Sequence, residues 1–121
     1  MKSQREGGVI VNIASGAAFY PLLGHAMYSA AKGGLVSLTR VIALEAAPYG
    51  IRVNTVVPGN TDTPGVRAKS NLSPDTSLEL ALNERWMTPD QIADVILWCS
   101  SESAHMVNGA LLRVDGGRRM L

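Results

Sequence analysis

Apolar positions along this chain follow two rhythms. Val9-Ile10-Val11-Asn12-Ile13 is short, β-branched and almost wholly apolar, the pattern of a strand buried on both faces. It stops at Ala14-Ser15-Gly16, small residues suited to a turn. From about His25 to Ala47 the spacing turns helical, with Leu35, Leu38, Ile42 and Leu44 three or four residues apart, and Pro48 and Gly50 end the run. Gly33-Gly34 lies inside it, and each glycine in a helix interior costs about 1 kcal/mol relative to alanine. With Ser29, Ala30, Ala31 and Ser37 nearby, the pair predicts a surface that another helix or a ligand approaches closely. Ile51 to Val57 reads as a second strand, ended by Pro58-Gly59.

Residues 60–83 are irregular, broken by Pro64, Gly65, Ser73 and Pro74, with a short helix predicted around Leu78, Leu80 and Leu82. A loop of this length inside a compact domain is usually functional or mobile. The next helix has the strongest start signal. Thr88 is a natural N-cap, Pro89 takes the first helical position and Gln91 completes a capping box. Met87 and Ile92 are placed as a hydrophobic staple, and Ile92, Val95, Ile96 and Cys99 form one stripe. Ala110 to Val114 is a third strand, closed by Asp115-Gly116-Gly117.

Buried strands joined through helices predict an α/β fold with parallel pairing and right-handed crossovers. Ligands of such sheets gather at the carboxyl ends of the strands. Those ends are Ser15, Pro58-Gly59 and Asp115-Gly116, which defines a candidate site from topology alone.

Composition narrows the class. With 121 residues, 46% hydrophobic and 17% charged, the chain is that of one ordinary globular domain. A net charge of +1 and 5% aromatics give no basis for binding nucleic acid or an anionic membrane. The polar Met1–Gly8 stretch has no signal-peptide core, and no apolar run reaches the ~20 residues of a membrane helix. The single cysteine, Cys99, cannot form an internal disulfide and reads as a small core residue. These features predict a soluble, cytoplasmic protein. No His, Asp or Glu cluster has metal-ligand spacing.

Tyr28 and Lys32 are four residues apart on the first helix, hence on one face. A tyrosine is a poor proton carrier at neutral pH unless a nearby cation favours its phenolate. At ~4 Å and an effective dielectric of about 20 that attraction is about 4 kcal/mol. A tyrosine so tuned exchanges a proton with an alcohol or a developing alkoxide. Ser15, at a strand's carboxyl end, leads into this helix and could hold a substrate oxygen; on its own it also fits a plain turn serine. Ser15 lacks the G-x-S-x-G context of a serine hydrolase. His25, one turn before Tyr28, reads as partly exposed, and His105 as solvated.

Four blocks together resemble the short-chain dehydrogenase/reductase family: Gly7-Gly8-Val9-Ile10-Val11-Asn12-Ile13-Ala14-Ser15, Tyr28-Ser29-Ala30-Ala31-Lys32-Gly33-Gly34, Gly50-Ile51-Arg52-Val53-Asn54-Thr55-Val56-Val57-Pro58-Gly59 and Val114-Asp115-Gly116-Gly117. The Arg85-Trp86-Met87-Thr88-Pro89 lead into the capped helix is also similar. The blocks keep the family's order and span essentially the whole chain.

The resemblance implies a single partial domain over residues 1–121. It would be the C-terminal half of a Rossmann-like doubly wound parallel sheet, three parallel strands with crossover helices. It implies an NAD(P)-dependent oxidoreductase moving a hydride between nicotinamide and a small carbonyl or alcohol substrate. Ser15 would position the substrate oxygen, Tyr28 act as general acid/base, and Lys32 tune Tyr28 and bind the nicotinamide ribose. Pro58 and Gly59 would line the nicotinamide, with Thr61 and Thr63 at its carboxamide side; the family usually has an aliphatic residue where Thr61 stands.

Residues 60–83 match the family's variable substrate loop, so the substrate is not legible. Family members are roughly twice as long and assemble as dimers or tetramers. A glycine-rich dinucleotide loop, the residue choosing NAD over NADP and the family's catalytic Asn have no counterpart here. Two expectations follow: the first strand has an open edge, and the adenine-binding half is missing. The competing reading is a truncated, cofactor-free remnant that acts only as an oligomerising or interaction module.

Overall fold

A computed structural model describes residues 1, 3, 6–20, 23–70 and 86–117. Strands β1 (Gly8–Ile13), β2 (Ile51–Pro58) and β3 (Leu111–Val114) form a parallel sheet in the order β1-β2-β3. In register, Gly8 pairs with Ile51 and Ile13 with Val56, while Thr55 pairs with Leu111 and Pro58 with Val114. Helix α1 (Ala26–Ala46) connects β1 to β2. Helices α2 (Pro64–Ser70) and α3 (Pro89–Ser100) lie between β2 and β3. The fold class is the α/β, three-stranded parallel arrangement expected from the sequence.

Alternation along β2 decides which helix meets which side chain. Ile51, Val53 and Val57 pack toward α1, with Ala43, Ala46 and Val36. Val56 points the other way, against Ile92 and Cys99 of α3. The central strand is therefore covered on both faces, and Val53, Asn54 and Val56 are completely buried. Strand β1 follows the same alternation, Ile10 toward α1 and Val11 toward α3, but stays only half-buried. Among the described residues it has β2 as its single neighbour. Its open edge was expected; burial on both faces was expected too and is only partial, because a strand with one neighbour among the described residues keeps a flank in solvent.

Helix α1 corrects the reading of its apolar stripe. It buries Val36, Thr39, Ala43 and Ala46, while Leu38 and Leu44 are 51% and 79% exposed. At 100° per residue, positions 38, 41 and 44 form a second apolar stripe. Small residues face the sheet because β2 and Gly109 come close, the Ala43 methyl lying 3.5 Å from where a Cβ on Gly109 would stand. Gly33-Gly34 sits in an unbroken helix. A Cβ on Gly33 would make only ordinary contact with the Ala18 carbonyl at 3.9 Å, and one on Gly34 would meet nothing within 4 Å. The close approach predicted for the glycine pair is thus not made by the described residues.

Two further differences concern boundaries. Pro64 and Gly65, read as breakers, open α2, with the Thr63 carbonyl accepting from Val66 and Arg67 N–H. Proline suits a first helical turn, where its missing N–H costs nothing. The short helix expected around Leu78–Leu82 lies outside the described residues. Helix α3 begins as predicted. The Thr88 hydroxyl accepts from Gln91 N–H, the Gln91 side chain accepts from Thr88 N–H, and Met87 packs on the Ile92 cluster.

Polar side chains inside the fold tie backbone to backbone. The Arg52 guanidinium donates to the carbonyls of Cys99, Val107 and Ser101, at 3.0, 3.2 and 3.2 Å. Asn108 accepts from Val53 N–H and donates to the Ala43 carbonyl, joining β2 to α1. Asn12 donates to the Thr39 hydroxyl, which donates in turn to the Leu35 carbonyl. Burial pushes the Cys99 thiol above its ordinary value, with nearby Arg52 opposing, as befits a core thiol rather than a reactive one.

Candidate functional site

The three strands end together. Ser15 follows β1, Gly59 follows β2 and Asp115 follows β3, and all three line one cavity of about 120 Å³. Phe19, Tyr20, Pro58, Asn60 and Arg113 complete most of its wall. This is the strand-end location that topology predicted. Gly59 is required there by close approach. A Cβ on it would stand 2.9 Å from both Cα and Cβ of Asp115, so only glycine lets the ends of β2 and β3 touch.

Ser15 has two jobs. Its Oγ accepts from Ala17 N–H at 3.2 Å, capping the 3₁₀ turn Gly16–Ala18. A serine hydroxyl has one donor and two lone pairs, so the cap leaves its proton uncommitted. Lys32 reaches back from α1 to donate to the carbonyl of Ile13 at 2.8 Å. That bond fixes the Tyr28–Lys32 face of the helix at the end of β1, two residues before Ser15. Expected as a partner for Tyr28, the ammonium stands 5.7 Å from the centre of the tyrosine ring and takes the backbone carbonyl.

Tyr28 is 46% exposed and its hydroxyl has no hydrogen bond among the described residues. His25 is exposed, meets the Tyr28 ring edge-on at 6.1 Å, and its Nδ1 lies 2.9 Å from the Leu23 carbonyl. His105 is exposed as well.

Of the residues singled out by sequence, Ser15, Pro58 and Gly59 share the cavity wall, whereas Tyr28, Lys32, Thr61 and Thr63 are not part of it. Thr61 donates its hydroxyl proton to the Gly59 carbonyl at 3.1 Å and pairs in a short bridge with Met87. Asn60 accepts from Met87 N–H, and Asp62 N–H donates to Met87, so the chain leaving β2 is clamped to the lead-in of α3. The Thr63 hydroxyl accepts from Val66 N–H at 3.3 Å and keeps its proton. The ion pair Arg67–Asp62 holds the Asp62 carboxyl below its ordinary value, chiefly through the hydrogen bond from Arg67.

A cluster around Arg113 in the cavity wall was not among the residues singled out by sequence. Arg113 pairs with Asp115 at 2.6 Å and lies over the Tyr20 ring, 5.5 Å from its centre. It is held above its ordinary value, first by the hydrogen bond to Asp115. Burial pushes Asp115 up, but hydrogen bonds from Arg113 and Gly117 N–H outweigh it and leave the carboxyl below its usual range. The available signal was a lone charge, Arg113, within the apolar Leu111–Val114 strand.

These features define a parallel α/β domain whose polar side chains converge where the strands end. The family described as enoyl-(acyl carrier protein) reductase matches residues 1–119. An uncharacterized oxidoreductase of Thermotoga maritima is 36% identical, over 97% of this chain and 49% of its own. The 3-oxoacyl-(acyl-carrier-protein) reductase of the same organism is 35% identical, over 97% and 47%.

Among solved structures, an oxidoreductase of the short-chain dehydrogenase/reductase family from Burkholderia thailandensis superposes with a TM-score of 0.82 at 36% identity, covering 98% of this chain and 47% of its own. A 7α-hydroxysteroid dehydrogenase complexed with NADH and 7-oxo glycochenodeoxycholic acid gives 0.81 at 31% identity, covering 97% and 46%. The chain belongs to the short-chain dehydrogenase/reductase family, whose members are oxidoreductases. It spans about half the length of the curated relatives it matches, and corresponds to the C-terminal half of their Rossmann-like fold.

Proposed function

We propose that this chain is the catalytic half of an NAD(P)-dependent oxidoreductase acting on a carbonyl/alcohol pair, with Tyr28 as general acid/base. The observation that supports the reading is the bond from Lys32 to the Ile13 carbonyl, which ties the helix carrying Tyr28 to the strand end two residues before Ser15. Ser15 keeps a proton for a substrate oxygen, and the Tyr28 hydroxyl, without a partner among the described residues, is open to accept or return one. Such proton transfer typically contributes about 10²–10⁴ in rate. Lys32 has two further N–H donors for a ribose or for the phenol oxygen.

A nicotinamide cofactor, which supplies or takes the hydride, fits the donor set at these strand ends. Pro58 and Gly59 would lie along it, and Thr63, with an uncommitted proton, would serve its carboxamide better than Thr61, whose proton is engaged by Gly59. Tyr28 and Lys32 would hold its ribose. The relative bound to NADH and a 7-oxo steroid supports this class of cofactor and substrate. No helix among the described residues is long and apolar enough to cross a membrane. A cytoplasmic dimer or tetramer is part of the proposal, with the exposed Leu38, Val41 and Leu44 stripe as its contact face.

Titration with NADH and NADPH, followed by thermal stability, tests the cofactor: a saturable rise at micromolar concentration is expected, and no rise with either would favour the interaction-module reading. Tyr28→Phe is expected to lower turnover by about 10²–10⁴-fold with an unchanged melting temperature. Retained turnover in that variant removes Tyr28 from its role.

A further inference from the structure

The charged pair lining the cavity bears on the kind of substrate it accepts. Resting on the proposed oxidoreductase function, we infer that the cavity seats the non-reacting body of a compact, uncharged carbonyl or alcohol, and that the Arg113–Asp115 pair is the element that excludes anionic substrates. Size comes first. A cavity of about 150 Å³ holds benzene, so the 120 Å³ here takes a ring or branched chain of about six heavy atoms. Phe19, Tyr20, Val57 and Pro58 give that body apolar and aromatic surface. Ser15, which lines the same cavity with its proton uncommitted, marks where the substrate's oxygen stands.

Charge comes second. Among the described lining residues Arg113 is the cation, and it is already engaged, by Asp115 at 2.6 Å and by the face of Tyr20. The pair is neutral as a unit. A carboxylate entering the cavity would lose hydration without meeting an uncompensated positive charge among the described lining residues, and it would approach the Asp115 carboxylate besides. A ketone or alcohol of the same shape meets neither cost. Asp115 thereby sets specificity without touching the reacting atoms.

Asp115→Asn is the informative variant, because an asparagine oxygen can still accept from Gly117 N–H and keep the turn, while the wall gains one net positive charge. Binding is read from amide shifts of Gly16, Ala17 and Gly59 in the isotope-labelled protein, with cyclohexanone, cyclohexanecarboxylate and 2-adamantanone as probes. Cyclohexanone is expected to bind saturably, cyclohexanecarboxylate at least tenfold more weakly, and the rigid, bulkier 2-adamantanone not saturably. Asp115→Asn is expected to tighten the carboxylate at least tenfold and leave cyclohexanone within threefold. Arg113→Gln, which removes the cation, is expected to keep the carboxylate excluded; it carries the charge test if Asp115→Asn fails to fold, and carboxylate binding by it would overturn the role of the pair.

Equal or tighter carboxylate binding by the unaltered protein overturns the proposal, as does saturable binding of 2-adamantanone or none of cyclohexanone. Failure of the oxidoreductase reading looks different. In that case the ketone still binds with the stated preferences, but no cofactor response and no Tyr28-dependent turnover is found.

Discussion

Gly59→Ala isolates the contact that closes the strand ends. The added methyl would stand 2.9 Å from Cα and Cβ of Asp115, about 0.6–1 Å inside the ~3.5–4.0 Å optimum for carbon pairs. The obstructing atoms include backbone, so no side-chain rotation relieves them, and β2 and β3 must part. Gly59 N–H donates to the Val114 carbonyl at 2.8 Å. A parting of about 0.6 Å stretches that bond to about 3.4 Å, outside the usual range. Weakening it costs about 0.5–1.5 kcal/mol, and overpacking adds about 1–3 kcal/mol. The lower entropy of an unfolded alanine returns about 0.4–1 kcal/mol. The net is a loss of about 0.5–4 kcal/mol, and at its centre of about 2 kcal/mol the melting temperature falls by about 5–10 °C.

Circular dichroism melts measure this loss, with the same change at Gly34 as the control. Nothing lies within 4 Å of a Cβ there, so Gly34→Ala is expected to stabilise by about 0.4–1 kcal/mol. One substitution, two positions, opposite signs. A Gly59→Ala protein that melts at or above the temperature of the unaltered one refutes the close approach, and with it the shape of the cavity.

Two other outcomes test the supports of the site. Arg52→Met removes three charge-assisted hydrogen bonds to carbonyls at the end of α3 and in the following turn, an expected loss of about 2–4 kcal/mol, read as a lower urea midpoint at unchanged slope. Because Asp115 is held below its ordinary value when folded, its contribution is fully present above the unfolded carboxyl pKa and fades as pH falls through the folded one. Melting temperature is therefore expected to drop below about pH 4, with a flatter profile in Arg113→Gln; identical profiles would detach Asp115 from acid stability.

Much of this protein was determined by local pattern. The strand β1, the capping box of α3 and the stripe Ile92–Val95–Ile96–Cys99 were legible because each depends on neighbours within a few residues. That the strands end together at one edge was legible too, since parallel strands bring their carboxyl ends to one side. Local pattern did not decide which of two apolar stripes on α1 meets the sheet. That was settled by the closeness of β2 and Gly109, which admit Ala43 and Ala46 but send Leu38 and Leu44 to the surface.

Nor could spacing along one helix say where the Lys32 amine goes. The Ile13 carbonyl, 19 residues away in sequence, claims it. The meeting of Tyr20, Arg113 and Asp115 belongs wholly to tertiary structure, because residues some ninety positions apart share a wall only once three strands lie side by side. Short-range order is set by each residue and its neighbours in the chain. The identity of a charge's partner is set by which distant segment the packed sheet delivers to it.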